Sequence, residues 1–152
     1  LDLAMLIEPF ALTDVTCLKL PRKERWGFLL SREWFLSQKE QITPADLTGF
    51  PILSSSRSEV QQLLADWAGT SLEGLNIIGH YNLIFNVFSL VESKVGAAFA
   101  IEGALRGRRL EDLIFLPLSP AISTHCVLVW KNRVHTPVVE ELIRRFKHAF
   151  QA

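Results

Sequence analysis

Between Leu75 and Glu102 the chain reads LNIIGHYNLIFNVFSLVESKVGAAFAIE, and few local structures can accommodate that run. Leu75 to Gly79 is a short apolar segment with two β-branched residues, Asn82 is a helix-capping type, and Gly96 can end a helix before a second apolar run, Ala97 to Ile101. The pattern predicts strand, helix, strand. Within the helix Leu83, Val87, Leu90 and Val91 recur at 3.6-residue spacing, and Leu83 to Phe88 is apolar almost all round. This predicts a core helix packed on more than one side. Ligands of open α/β sheets collect where strands end and helices begin, so the turn Gly79, His80, Tyr81, Asn82 is a candidate site. A capped turn with no ligand accounts for the same residues.

The rest of the chain must build on that unit. Its 152 residues suffice for one domain, or for two small lobes sharing one chain. Sixteen basic and sixteen acidic residues cancel, so the electrostatic footprint of a phosphate-binding surface is missing and this segment is not expected to hold DNA. The basic cluster Arg106, Arg108, Arg109 is followed by Glu111 and Asp112 and reads as a solvated turn. Cys17 and Cys126 stand far apart without ligand-like spacing, which favours reduced thiols over a bridge. His80, His125, His135 and His148 form no HxxxH or HExxH pattern, so no metal is expected. The apolar runs fall well short of the ~20 residues of a membrane helix, and no charged leader precedes a signal-like core, so a soluble, cytoplasmic protein is expected. The abrupt start on an apolar run, Leu3 to Ile7, suggests a piece of something longer.

In chain order, Leu3 to Ile7 reads as a buried strand that Pro9 stops, with Glu8 at its end as a structural acceptor or a ligand-orienting carboxylate. Val15 to Leu20 and Trp26 to Leu30 read as two neighbouring strands separated by a turn at Pro21 to Arg25. Ser31 to Gln41 suits an irregular or single helical turn. Thr43 and Pro44 open a short helix that Gly49 closes. Pro51 to Leu53 is a brief buried strand that runs into Ser54, Ser55, Ser56, Arg57, Ser58. Ser58 with Gln61 matches a capping box, and Val60, Leu63, Leu64 and Trp67 then share a helical face until Gly69. The serine run is thus a strand-to-helix loop where hydroxyls, a guanidinium and helix N–H groups converge, the chemistry that holds a carboxylate or phosphate. Solvated serines and a simple cap explain it equally well.

Beyond the central unit, Leu105 to Glu111 reads as a helical turn or loop, Leu113 to Leu118 as a strand interrupted by Pro117, and Thr124 to Trp130 as a further strand. Thr136 and Pro137 open the last helix, with Val139, Leu142, Ile143, Phe146, Ala149 and Phe150 as its apolar stripe and Glu140/Arg144 and Glu141/Arg145 as outer pairs. Alternating strands and helices argue for an α/β fold with substantially parallel pairing.

Taken in order, LDLAMLIEP, KLPRKERWGFLLS, ITPADLTGFPIL, NLIFNVFSLVESKVGAAFAIE, LIFLPLSP and VLVWKN with the TPVVEELIRRF helix closely resemble LysR-type transcriptional regulators, in their effector-binding domain. The resemblance implies two Rossmann-like subdomains, similar to type 2 periplasmic binding proteins, with an effector in the cleft between them. It implies residues 1–30 and 116–152 in the first subdomain and 31–115 in the second, the fold being incomplete at the N-terminus. The family's winged helix-turn-helix, linker helix and opening strand-helix-strand-helix portion have no counterpart in these residues. Positions matching effector-facing places are Ser55, Ser56, Arg57, Tyr81, Asn82, Leu116 and Leu118.

The function implied is sensing of a small, often anionic metabolite within a bacterial transcription factor, a dimer or tetramer that meets DNA only through its N-terminal domain. No cofactor is implied. An enzyme would need a nucleophile elbow, phosphate loop or metal spacing, and none is present. The alternatives are a solute-binding protein of the same bilobal fold, or an oligomerisation module with no ligand.

Overall fold

The computed structural model describes residues 1–108 and 111–150. The described residues form strands β1 (Leu3–Ile7), β2 (Val15–Ser31), β3 (Ile52–Ser55), β4 (Ile77–Tyr81), β5 (Ala97–Ile101), β6 (Leu113–Pro117) and β7 (Ser123–Lys131). The α-helices are α1 (Ser58–Ala68), α2 (Phe88–Glu92) and α3 (Pro137–Phe150). Short 3₁₀ turns occupy Phe35–Gln38, Pro44–Leu47, Leu72–Gly74, Ile84–Val87 and Glu102–Leu105. The chain divides into two compact units: unit 1 is Leu1–Lys23 with Thr124–Ala152, and unit 2 is Glu24–Ser123.

In unit 1, β7 lies between β1 and β2, and β1 runs antiparallel to it with Leu3 opposite Trp130 and Ile7 opposite Cys126. The helix α3 lays Ile143 onto a core of Leu18, Leu20, Leu128 and Trp130, with Val139 and Phe146 at its margin. Its apolar stripe is therefore covered in the middle and open at Leu142 and Phe150, which are 43% and 42% exposed. On the outer side Glu141 takes both Arg144 and Arg145, rather than the expected split in which Glu140 holds Arg144. A single carboxylate with two oxygens accepts bonds from residues three and four positions on, since both lie on its face. β1 is half-buried rather than buried, with Met5 57% exposed.

In unit 2, β5 and β6 flank β2 in antiparallel register, with Phe28 opposite Phe99 on one side and Leu116 on the other. β3 runs parallel to both β5 and β4. The sheet pairing is thus mixed: β3 makes parallel pairs with β4 and β5, while β2 pairs antiparallel with β5 and β6, so parallel pairing does not predominate as expected. One face packs Leu29, Leu53, Ala98, Ala100 and Leu113 under Val87, Phe88 and Val91 of the α2 region. Helix α1 contributes buried Val60, Leu64 and Ala65. Phe28 and Phe99, both fully buried, stand 5.5 Å apart with Trp26 stacked on Phe99 and Phe50 edge-on to Phe28.

Several local expectations give way to tertiary context. Val15–Leu20 and Trp26–Leu30 are one strand with no turn at Pro21: Leu18 and Leu20 before it and Glu24 and Trp26 after it are buried two residues apart, while Pro21, Arg22 and Lys23 between them are exposed. The helix expected from Asn82 to Gly96 shrinks to a 3₁₀ turn and the five residues of α2, with Leu83 66% and Phe85 62% exposed. Only Val87, Phe88 and Val91 are buried there, so the segment packs on one side. Asn82 does not cap it. After α2 the left-handed residue is Lys94 (φ 61°), not Gly96, whose missing side chain instead leaves room for the Pro51 carbonyl and Leu53. Thr43 and Asp46 form the capping box of the Pro44 turn, and Gly49 (φ 83°) follows it as expected.

Candidate functional site

The parallel pair β3/β4 decides which polar groups meet, since Ser54 lies opposite His80 and Ser55 opposite Tyr81. Parallel strands in register end together, and here both lead directly into a polar turn. The strand β3 includes Ser54 and Ser55, so the strand-to-helix connection is only Ser56 and Arg57, shorter than the expected serine loop. Arg57, not Ser58, is the N-cap of α1, and its carbonyl accepts the N–H groups of Val60 and Gln61. Gln61 bonds the Ser55 carbonyl through Nε2 at 2.8 Å, so it ties the helix back to the strand instead of completing a capping box with Ser58.

Five of the residues expected to face effector are gathered here. The Ser56 N–H donates to the Tyr81 carbonyl at 2.8 Å, and the Ser56 hydroxyl donates to Asn82 Oδ1 at 2.5 Å. The two turns are thereby joined by one backbone and one side-chain bond. Ser55 Oγ accepts the Arg57 N–H at 3.2 Å and is buried. The Tyr81 hydroxyl donates to the Phe99 carbonyl at 2.6 Å, and burial pushes its ionisation upward, so it remains a neutral donor. That bond turns Tyr81 inward. Ser56 and Asn82 are exposed and Arg57 is half-buried, so these three carry the polar chemistry of the surface.

Leu116 and Leu118 are placed differently. Leu116 lies on β6 opposite Phe28 and is 3% exposed; Leu118 follows β6, is 2% exposed, and donates its N–H to the Trp26 carbonyl. Ile42 N–H bonds the Pro117 carbonyl and Ser119 N–H bonds Ile42 in return, closing a parallel bridge between Ile42 and Leu118. Their side chains are core, and the Leu118 N–H is already engaged by the Trp26 carbonyl.

Two polar residues escaped the sequence reading. Glu24 is 4% exposed and accepts the Gly103 N–H at 3.2 Å, while a side chain on Gly103 would meet its carboxylate at 2.9 Å. Glu24 stands two residues before the buried Trp26 on the same strand, and that spacing is the signal that it points inward. Ser54 Oγ is buried with no hydrogen-bond partner, and a serine in a short apolar strand carries no sequence mark of that.

Two cavities of unit 2 are lined by other residues than these turns. One of about 280 Å³ is bordered by Pro44, Thr48, Thr70 and Asn76, and one of about 320 Å³ by Trp34, Phe35 and Phe50. Among the described residues no three His, Cys, Asp or Glu side chains converge as a metal would require, and no helix is long and apolar enough to cross a membrane. Cys17 and Cys126 form no disulfide. Of the basic cluster near residue 108, Arg109 lies outside the described residues; Arg108 sits over the rings of Phe85 and Phe88 at 5.1 and 5.2 Å, so it packs on aromatics instead of being simply solvated.

The fold has counterparts among solved structures. HinK, a LysR family transcriptional regulator from Pseudomonas aeruginosa, superposes with a TM-score of 0.74 at 18% identity, covering 95% of this chain and 52% of that one. A reduced form of OxyR from N. meningitidis gives 0.70 at 15% identity, covering 99% and 71%. The regulatory domain of CcmR from Synechocystis, solved in complex with 2-PG, gives 0.75 at 12% identity, covering 98% and 73%. The chain spans about half the length of HinK and of the PA01 protein of Pseudomonas aeruginosa. No curated protein matches its sequence. The fold is the periplasmic-binding-protein-like fold of LysR regulatory domains. The model of the LysR substrate binding domain matches residues 1–151, and the chain belongs to that family.

Proposed function

We propose that this chain is the effector-sensing regulatory part of a cytoplasmic, homo-oligomeric transcription regulator, which contacts DNA through residues outside these 152. The effector is a small metabolite, and its polar contacts in unit 2 come from Ser56, Arg57 and Asn82, with Ser55 and Tyr81 holding the two turns in place and the backbone at Leu116 and Leu118 bordering the site. The observation that carries this reading is the Ser56–Asn82 hydrogen bond at the paired ends of β3 and β4, which puts a hydroxyl, an amide and the start of α1 side by side on an exposed surface. Helix N–H groups and hydroxyls stabilise carboxylate or phosphate oxygens, which favours an anionic effector. The ligand bound to the CcmR regulatory domain supports effector binding in this fold. A ligand shifts a regulator only if it binds one arrangement better than another, so affinity at this surface must differ between the regulator's states.

Thermal-shift measurement against a panel of small organic and phosphorylated acids tests the reading. At least one acid raises the melting temperature of the protein, and Ser56→Ala together with Asn82→Ala removes that rise. A panel without any response, or a response untouched by both substitutions, defeats it.

A further inference from the structure

The turn that leads from β4 into α2 carries a patch that the effector reading leaves unused. Leu83 and Phe85 stand two residues apart on it and are 66% and 62% exposed. Two bulky apolar side chains left open within one turn hold surface whose removal from water is favourable, so a partner that covers them gains.

Beneath them the patch is fixed. Phe88 is 6% exposed and belongs to the core of unit 2, and the Phe85 ring meets it edge-on at 6.3 Å. The Arg108 guanidinium lies over both rings, 5.1 Å from the Phe85 centroid and 5.2 Å from that of Phe88. The rings attract its charge without offering an oxygen to its N–H groups.

What this guanidinium lacks is an acid. Elsewhere in unit 2 Arg25 holds Glu102, Lys39 holds Asp46, Lys94 holds Glu33, and Arg32 donates to the Glu111 carbonyl. Arg108 is exposed, and no oxygen among the described residues accepts from its side chain. Donors arranged in one plane match a single carboxylate, which takes two of them side by side. A nucleic acid would need several free cations, whereas Arg108 is followed closely in sequence by Glu111 and Asp112. A small molecule would need a concave site, and side chains as open as Leu83 and Phe85 do not enclose one.

We propose that Leu83, Phe85 and Arg108 dock a segment of a partner protein in which an acidic residue stands beside a bulky apolar one. The acid pairs with the open edge of Arg108, and the apolar side chain covers Phe85 and Leu83. Arginine and aromatic side chains carry much of the energy where proteins meet, and this patch offers both already in contact.

Selection of short random peptides displayed on phage tests the proposal, with the affinity of each enriched peptide then measured by calorimetry. The enriched peptides combine an aspartate or glutamate with a bulky apolar residue a few positions away. Phe85→Ser and Arg108→Gln each weaken their binding about tenfold, and Arg108→Lys does nearly as much, because an ammonium keeps the charge but loses the planar fork. Both side chains are exposed, so the core stays intact in every variant. Enrichment no greater than against the Phe85→Ser, Arg108→Gln double variant overturns the proposal, as do enriched peptides without acidic residues. Self-association in sedimentation that the double variant abolishes overturns it too, since the patch would then close on a second copy of the chain.

Discussion

Unit 2 and unit 1 solve the same packing problem to different degrees. In unit 2, Phe28, Leu29, Leu30, Ile52, Ala97, Ala98 and Phe99 are fully buried, and both faces of the sheet are covered. In unit 1 the helix α3 covers one face, β1 is half-buried, and Met5, Leu12, Val138 and Leu142 remain open. The difference teaches where order is strongest: local opening costs most where buried apolar contacts are densest. The strand ends that present Ser56 and Asn82 are anchored in the denser unit, so the geometry of that surface is held by its most buried strands.

The contrast can be broken most directly at Phe99. Phe99→Ala is expected to cost about 3–5 kcal/mol, because it removes a fully buried ring that Trp26 and Phe28 both touch. Urea unfolding gives the magnitude, and hydrogen exchange should show protection falling in β3 and β5 well before β1 and β7. Equal protection loss in both units would erase the distinction.

Tyr81→Phe sharpens it on a smaller scale. The phenol bonds the Phe99 carbonyl, and deleting the hydroxyl leaves that acceptor unpaired, a loss of about 1–2 kcal/mol in thermal unfolding. The same substitution should leave effector affinity within about twofold if Tyr81 only positions the turn.

Acid titration probes the rim of unit 2. The Arg25 bond holds the Glu102 carboxylate below its ordinary value of 4.5 against a smaller opposing effect of burial. A carboxylate depressed on folding contributes stability that is complete above its unfolded value and disappears as pH falls through the folded one. Stability should therefore decline below about pH 4.5, and Glu102→Gln should flatten that decline by less than about 1 kcal/mol, since both partners are half-exposed. A steeper acid limb in the variant than in the parent would contradict the pairing. The smallest effect is expected in unit 1: Leu142→Ala, on the open part of α3, should change stability by no more than about 0.5 kcal/mol.

Where periodicity and punctuation agree, the sequence was a sound guide. β1 and β5 have the bounds expected of Leu3–Ile7 and Ala97–Ile101, and α3 starts at Pro137 after Thr136 as its signals indicate. The candidate site was legible in part, since the Ser55–Arg57 and Tyr81–Asn82 turns do meet, but the reason they meet is register, which no local signal encodes. The Leu83–Val91 segment is less buried than its pattern implies, because apolar residues all round a helix are buried only if the fold supplies neighbours on every side, and here it supplies one.

From its sequence alone this chain determined its family, its α/β class and the residue types at two polar turns, because these depend on order, spacing and local propensity. Only the tertiary structure decided that Pro21 lies inside one long strand, that Glu24 faces inward to Gly103, that Tyr81 is spent on Phe99, and that Ser56 reaches Asn82. Each of these is a contact between residues 18 or more positions apart, or a choice of face set by what covers it. Such choices follow from the pairing and burial of distant segments, and these exist only once the chain has folded.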